Sequence, residues 1–345
     1  MQKLLVNCLH NDDVNFFSWH PEQFQIVYHD NIKNLFNSDG IILLTRDILK
    51  KYGKIQTDNR YVISMLQEGS NTVVDFLNRI GWSDQGTWPF ILSSGNLPDE
   101  IAHFNVDIFR YILGNTTEQL HNRDNEFCNN IFKKTVKPFA FNFLNGIERP
   151  HRKYIIKKLQ EFNLLSKALW SALYDNKFLP DNYCHQVNKD TVVNGKYIFH
   201  DWPDGQLFGN LYEDTYFSVV TETNFYLPYS FRTEKIYRSL KVGHPFIVAA
   251  NYGFYRDLHN LGFKTFGHLI DESFDLIDDN EKRLDRIVQV IKDLCQSDLS
   301  AFLLESENVC RHNRDLLMST SKPQEDLNLL EKFFEKYNKY AKNKQ

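Results

Sequence analysis

The chain has 345 residues, 42% of them apolar and 24% charged, the balance of a globular protein with room for two domains. A net charge of −4 without a basic stripe argues against a dedicated nucleic-acid binder. Five cysteines with no CxxC spacing argue against a zinc or disulfide framework, and no apolar run approaches the ~18 residues of a membrane span.

The first run, Met1 to Cys8, is too short for a signal peptide and reads as a β-strand. With cysteines that read as reduced thiols, this gives a cytoplasmic expectation. Strands are predicted at Leu4–Cys8, Phe24–Tyr28, Gly40–Leu44 and Pro89–Leu92, the last three ending in polar residues. Helices are predicted over Thr57–Glu68 and Thr72–Ile80, each opening on a threonine that can cap it. Strands alternating with helices predict βαβ units and a parallel sheet.

After a polar stretch at 115–136, a strand is predicted from Lys137 to Asn145. Arg149 and Pro150 then open a helix whose apolar face is Ile155, Ile156, Leu159, Phe162 and Leu164. Residues 175–210 read as loop. The run Tyr216–Val220 predicts a strand ending in Thr221-Glu222-Thr223-Asn224, and a helix start follows at Arg232-Thr233-Glu234-Lys235. Gly243-His244-Pro245 ends that helix and introduces a buried strand. A strand is predicted at Gly262–Phe266, and a helix from Asp278 to Gln296 with Leu284, Ile287, Val288, Val290, Ile291 and Leu294 inward. A charged helix, Leu327–Tyr340, closes the chain. The expected organisation is an N-terminal domain at 1–125, a C-terminal domain at 130–320, and a helix with a basic tail at 321–345.

The segment around Thr233 carries the chemistry. Glu222 past a strand end and Glu234 at a helix start are placed to accept ribose hydroxyls. The competing role is helix capping, worth about 0.3–1 kcal/mol without any ligand. Lys235 and Arg232, with Asn224 nearby in the chain, can neutralise a diphosphate at a helix N-terminus. Arg149 and Arg152 flank His151 at another helix start, after Asn142 and Asn145, and can fork onto phosphate. The alternative there is surface charge and capping. Asp271 and Glu272 read as a solvated or helix-capping acidic loop rather than a metal site. There is no P-loop, GxGxxG, nucleophile elbow or HExxH, which argues against NTPase, dehydrogenase, esterase and zincin chemistry.

The phrases Val219-Val220-Thr221-Glu222-Thr223-Asn224, Arg232-Thr233-Glu234-Lys235-Ile236 and Gly243-His244-Pro245-Phe246-Ile247-Val248 resemble the donor-binding motif of α1,3-fucosyltransferases. More widely, they resemble the C-terminal half of GT-B glycosyltransferases. The strand Phe139–Asn145 with Arg149 and Arg152 is similar to the family's Asn-rich strand and Arg-containing helix. Residues Gly262 to Asp275 are similar to phage and bacterial glycosyltransferase-like proteins. The resemblance implies an α/β fold of the GT-B kind, with two Rossmann-like domains facing across a cleft. It implies a nucleotide-diphosphate sugar held by Asn142, Arg149, Arg152, Glu222, Asn224, Arg232, Thr233, Glu234 and Lys235. The expected reaction is transfer to a hydroxyl of a glycan or other acceptor, with no cofactor and no metal. Asp30 and Glu68, ahead of His103, are the candidates for a base from the N-terminal domain. Rival readings are transfer to a modified DNA base, with nucleic acid not the favoured partner, and a silent nucleotide-binding module.

Overall fold

The structure is a computed structural model of the chain. It describes residues 4–9, 24–38, 40–52, 61–65, 90–93, 103–105, 129–180, 183, 192–193, 196–197, 209–319, 328, 331–332 and 334–335. The chain divides into two compact units, one of Met1–Ile108 with Thr320–Gln345, the other of Phe109–Ser319.

The first unit is built on β1 (Leu4–Leu9), β2 (Phe24–His29), α1 (Ile32–Phe36), β3 (Ile41–Thr45), α2 (Arg46–Tyr52), β4 (Tyr61–Met65), β5 (Phe90–Ser93) and β6 (His103–Asn105). Its sheet runs β2-β1-β3-β4-β5-β6, and every neighbouring pair is parallel. Ile41 to Leu44 are buried one after another, as expected for a strand with both faces covered. Gly40 has φ 102°, and a Cβ there would stand 2.9 Å from that of Leu5, so the entry to β3 requires glycine. Phe334, near the end of the chain, packs edge-on against Phe24 with ring centroids 5.8 Å apart.

The four predicted strands of this unit form within one residue of the expected positions. The helix expected over Thr57–Glu68 does not: Tyr61–Met65 is a strand between β3 and β5. Tyr61, Val62 and Ile63 are aromatic or β-branched residues that suit a pleated, enclosed surface, and pairing on both sides overrides the threonine cap. The helix expected at Thr72–Ile80 lies outside the described residues.

The second unit contains β7 (Phe139–Asn145), α3 (Pro150–Glu161), β8 (Ala168–Ala172), a small antiparallel pair β9 (Val192–Val193) and β10 (Lys196–Tyr197), then α4 (Gly209–Glu213) and β11 (Thr215–Thr221). It continues with α5 (Glu234–Val242), β12 (Phe246–Ala249), α6 (Phe254–Asn260), α7 (Asn280–Leu294) and α8 (Leu299–Met318). Its main sheet runs β12-β11-β7-β8, again all parallel, with Ser218 opposite Asn142 and Val219 opposite Ile247. β11 is buried at all seven positions. Phe141 stacks on Phe217 at 5.4 Å, and Phe302 of α8 meets Phe217 edge-on at 6.2 Å.

Helix ends in this unit follow local chemistry. Thr233 caps α5 by accepting from the Lys235 amide, and Gly243 closes it in the left-handed region at φ 68°. Asp279 caps α7 by accepting from the Glu281 and Lys282 amides. The six residues expected to face inward on α7 are all buried. The strand expected at Gly262–Phe266 is irregular chain instead, anchored by buried Phe263 and Phe266. Glu272 accepts from the Phe266 amide and the Thr265 hydroxyl there, so a carboxylate replaces strand pairing.

The chain is thus α/β, with an open all-parallel sheet in each unit. In the second unit the sequence runs outward from β7 to β8, then resumes on the other side of β7 with β11 and β12. The order reverses between β7 and β11. Open α/β sheets bind ligands at such a reversal, beyond the C-terminal ends of the strands.

Candidate functional site

A cavity of about 190 Å³ lies at that reversal. Asn145 ends β7 and Thr221 ends β11, and both line it; Arg149, Arg152, Glu234, Lys235 and Arg238 complete its charged wall. Two helix starts supply these groups. α3 follows β7 directly, with Pro150 in its first turn fixing the backbone. α5 follows β11 through the 222–233 loop.

Arg152 is 2% exposed. Its Nη1 donates to the Ile147 carbonyl at 2.7 Å and its Nη2 to the Thr221 carbonyl at 3.0 Å. This ties the loop after β7 to the end of β11. Its Nε is buried with no hydrogen-bond partner, and so is the Nε of Arg149. Burial lowers the Arg152 guanidinium to about 10, against the pull of Glu222, so it stays a cation at neutral pH. Two guanidinium groups that line one cavity, each with an Nε lacking a partner, are a place for an anion.

At the start of α5, on the same lining, Lys235 Nζ sits 2.6 Å from Glu234 Oε1 and 3.2 Å from Thr233 Oγ1. Burial works to raise the Glu234 carboxyl, but Lys235 and Arg238 outweigh it and hold the group below its usual value. Arg238 stands one turn after Glu234 and faces the same cavity.

Other expected groups lie elsewhere. Asn142 lines the cavity with its amide nitrogen donating to Thr215 Oγ1 at 3.0 Å. Glu222 does not line it. Its carboxylate is 0% exposed and turned to backbone and hydroxyl donors at the start of α5. Burial raises its pKa. Thr233, Arg232 and Asn224 are buried and lie outside the lining, with Asn224 Nδ2 lacking a partner.

Neither histidine serves as a cation. His151 donates from Nε2 to the Glu222 carbonyl at 2.9 Å and stacks on Phe225 at 5.2 Å. Burial and the neighbouring Arg152 lower it to about 3. His244 bridges Ser218 Oγ and the Thr215 carbonyl, both at 2.9 Å. Burial takes it to about 3 as well. Asp271 accepts from the Ser273 amide and pairs with Arg286, as a capping residue does, whereas Glu272 is partly buried and bonded to Thr265 and Phe266 in irregular chain, where its side chain caps no helix.

Asp30 is exposed, just past the end of β2 in the first unit. Glu68 lies outside the described residues, and of His103 only its place at the start of β6 is described. Among the described residues no group of three His, Cys, Asp or Glu side chains could hold a metal ion, and no helix is long and apolar enough to cross a membrane. Cys8, Cys295 and Cys310 are buried thiols.

Sequence reasoning gave no role to Arg238, Ser171 or Tyr212, all of which line the cavity. Arg238 had a signal, its four-residue spacing from Glu234. Ser171 and Tyr212 had none, since they arrive from β8 and α4.

The chain matches no protein-family model and no curated protein. Its structure is similar to the crystal structure of an α1,3-fucosyltransferase with GDP-fucose, at 9% identity and a TM-score of 0.45, over 92% of this chain and 91% of that one.

Proposed function

We propose that this protein transfers a sugar from a nucleotide-diphosphate donor to an acceptor hydroxyl, and that the cavity between β7 and β11 holds the diphosphate. One observation carries the reading: Arg149, Arg152, Lys235 and Arg238 line one cavity at a strand-order reversal, and the Nε atoms of Arg149 and Arg152 have no hydrogen-bond partner. An unpaired buried donor on a cation costs several kcal/mol unless an anion completes it. Lys235 and Arg238 on the same lining add charge for a second phosphate.

In the proposed reaction the acceptor oxygen attacks the anomeric carbon, and the bond from that carbon to the diphosphate oxygen breaks. The electron pair leaves with the diphosphate. Arg149, Arg152 and Lys235 stabilise its growing charge in place of a metal ion. A base takes the acceptor proton; Asp30 and Glu68 remain the candidates. Glu234, a carboxylate at neutral pH beside Lys235, is placed to accept ribose hydroxyls. The motif phrases around Thr233 support the same assignment.

The test is release of free nucleoside diphosphate from a panel of GDP-, UDP-, CDP-, ADP- and dTDP-sugars, with glycan fragments and modified DNA as acceptors. One donor should be consumed by the wild type. Lys235→Ala should be slower by at least tenfold, the loss expected for one charge-assisted hydrogen bond of about 1.5–3 kcal/mol. No release from any donor, or equal rates in the variant, would overturn the assignment.

A further inference from the structure

We infer that Glu222 is a positioning residue that sets the direction of the Lys235 ammonium through the Thr233 hydroxyl. This rests on the reading of the cavity as a diphosphate site, but its geometry stands independently.

The argument is a count of protons. Glu222 faces donors only: the Thr233 amide at 3.2 Å, the Ile236 amide at 3.3 Å, the Thr223 amide at 3.3 Å and the Thr233 hydroxyl at 2.6 Å. The Thr233 hydroxyl has one proton and two acceptor positions. Its other neighbours, the Lys235 amide at 3.3 Å and Lys235 Nζ at 3.2 Å, are both donors. The proton therefore points to Glu222, and the lone pairs point to Lys235. The fully buried carboxylate fixes the hydroxyl as an acceptor, and that acceptor, beside Glu234 Oε1 at 2.6 Å, sets where the ammonium points along the cavity lining. Glu222 also anchors the first turn of α5, so one side chain secures both the helix start and the cation it presents.

An amide at position 222 reverses this logic. Its NH2 group brings donors to the Thr233 hydroxyl, which then turns its own proton toward Lys235 and repels the ammonium.

The experiment measures Glu222→Gln, Thr233→Val, Thr233→Ser, Lys235→Ala and the Glu222→Gln/Lys235→Ala pair, each first checked for a cooperative melt. Calorimetry reads the affinity for the nucleoside diphosphate that binds the wild type best. A ligand-free arm reads acetylation of Lys235 by acetic anhydride, by mass spectrometry, with exposed Lys153 as internal reference. Glu222→Gln should weaken binding about tenfold alone and less than twofold on the Lys235→Ala background. Thr233→Val should match it, and Thr233→Ser, which keeps the hydroxyl, should restore wild-type affinity within twofold. Lys235 acetylation should rise several-fold in Glu222→Gln and Thr233→Val while Lys153 is unchanged. Equal losses on both backgrounds, or unchanged Lys235 acetylation, would overturn the inference. If Glu222→Gln does not melt cooperatively, Thr233→Val against Thr233→Ser decides. If no nucleotide binds the wild type, the diphosphate reading fails while the acetylation arm still decides this one.

Discussion

Arg152 and Arg283 are both 2% exposed, and both serve the C-terminal ends of the strands of one sheet. Their hydrogen bonding differs. Arg283 donates from Nε to the Ala250 carbonyl, from Nη1 to those of Ile277 and Asp278, and from Nη2 to that of Phe225 and to Asn280 Oδ1. Every nitrogen is used, and the guanidinium also lies 4.4 Å from the centroid of the Phe225 ring. It joins the loop after β11, the end of β12 and the approach to α7. Arg152 uses both Nη atoms on carbonyls and leaves Nε idle beside a cavity. A saturated buried arginine is a structural clamp; under the proposed function, the unsaturated one beside the cavity completes its hydrogen bonding on the diphosphate.

The sharpest way to break this contrast is to mutate each arginine and read stability and binding separately. Arg283→Met strands four carbonyls and should cost about 3–5 kcal/mol in urea unfolding, with nucleoside diphosphate affinity of the folded fraction within about twofold. Arg152→Lys keeps a charge and one carbonyl contact but loses the second carbonyl contact and the idle Nε donor. It should weaken nucleoside diphosphate binding about a hundredfold, or about 2.7 kcal/mol, while its unfolding midpoint drops less than half as far as that of Arg283→Met. If the two variants show the same balance of effects, the contrast is wrong.

A smaller effect tests the enclosed groups in acid. His151 and His244, near 3 when folded, titrate near 6.5 when unfolded. The unfolded chain takes up those protons first. Each histidine therefore removes about 1.4 kcal/mol of stability per unit as pH falls from about 6.5 towards 3. Glu272 acts oppositely. Burial raises it from 4.5 to about 7, so the folded protein binds its proton first and gains stability as pH falls through that window. From these three groups the net loss between pH 6.5 and 4.5 is about 1.4 kcal/mol per unit, and the raised Glu222 and Asp275 carboxyls offset part of it as they protonate. Glu272→Gln should roughly double the slope in the upper window. An unchanged slope in urea titrations of that variant would contradict the burial assigned to Glu272.

The sequence made the regular elements legible where apolar runs were short and flanked by polar punctuation, as at β1, β2, β3, β7 and β11. It failed where one pattern served two structures. Thr57 to Glu68 carries a helical cap and apolar spacing, and only the partners on either side make Tyr61–Met65 a strand. α8 was missed because its buried face includes Ser306 and Asn313, which break the apolar stripe. Asn313 is inward because its side chain bonds both the amide and the carbonyl of Lys264, a long-range reason invisible locally. At the cavity, Arg149, Arg152, Glu234 and Lys235 were readable as charges at helix starts. Glu222 was readable as a carboxylate beside them, but its direction was not, since it depends on how the 222–233 loop folds back onto α5.

The most direct test of the central claim is calorimetric titration of GDP, UDP, CDP, ADP and dTDP into the wild type and Arg152→Lys at matched pH and salt. The account predicts that one nucleoside diphosphate binds the wild type, and that the variant binds it about a hundredfold more weakly with a cooperative melt retained. Absence of binding by all five, or equal affinity in both proteins, would contradict the assignment of the cavity between β7 and β11 as a diphosphate site.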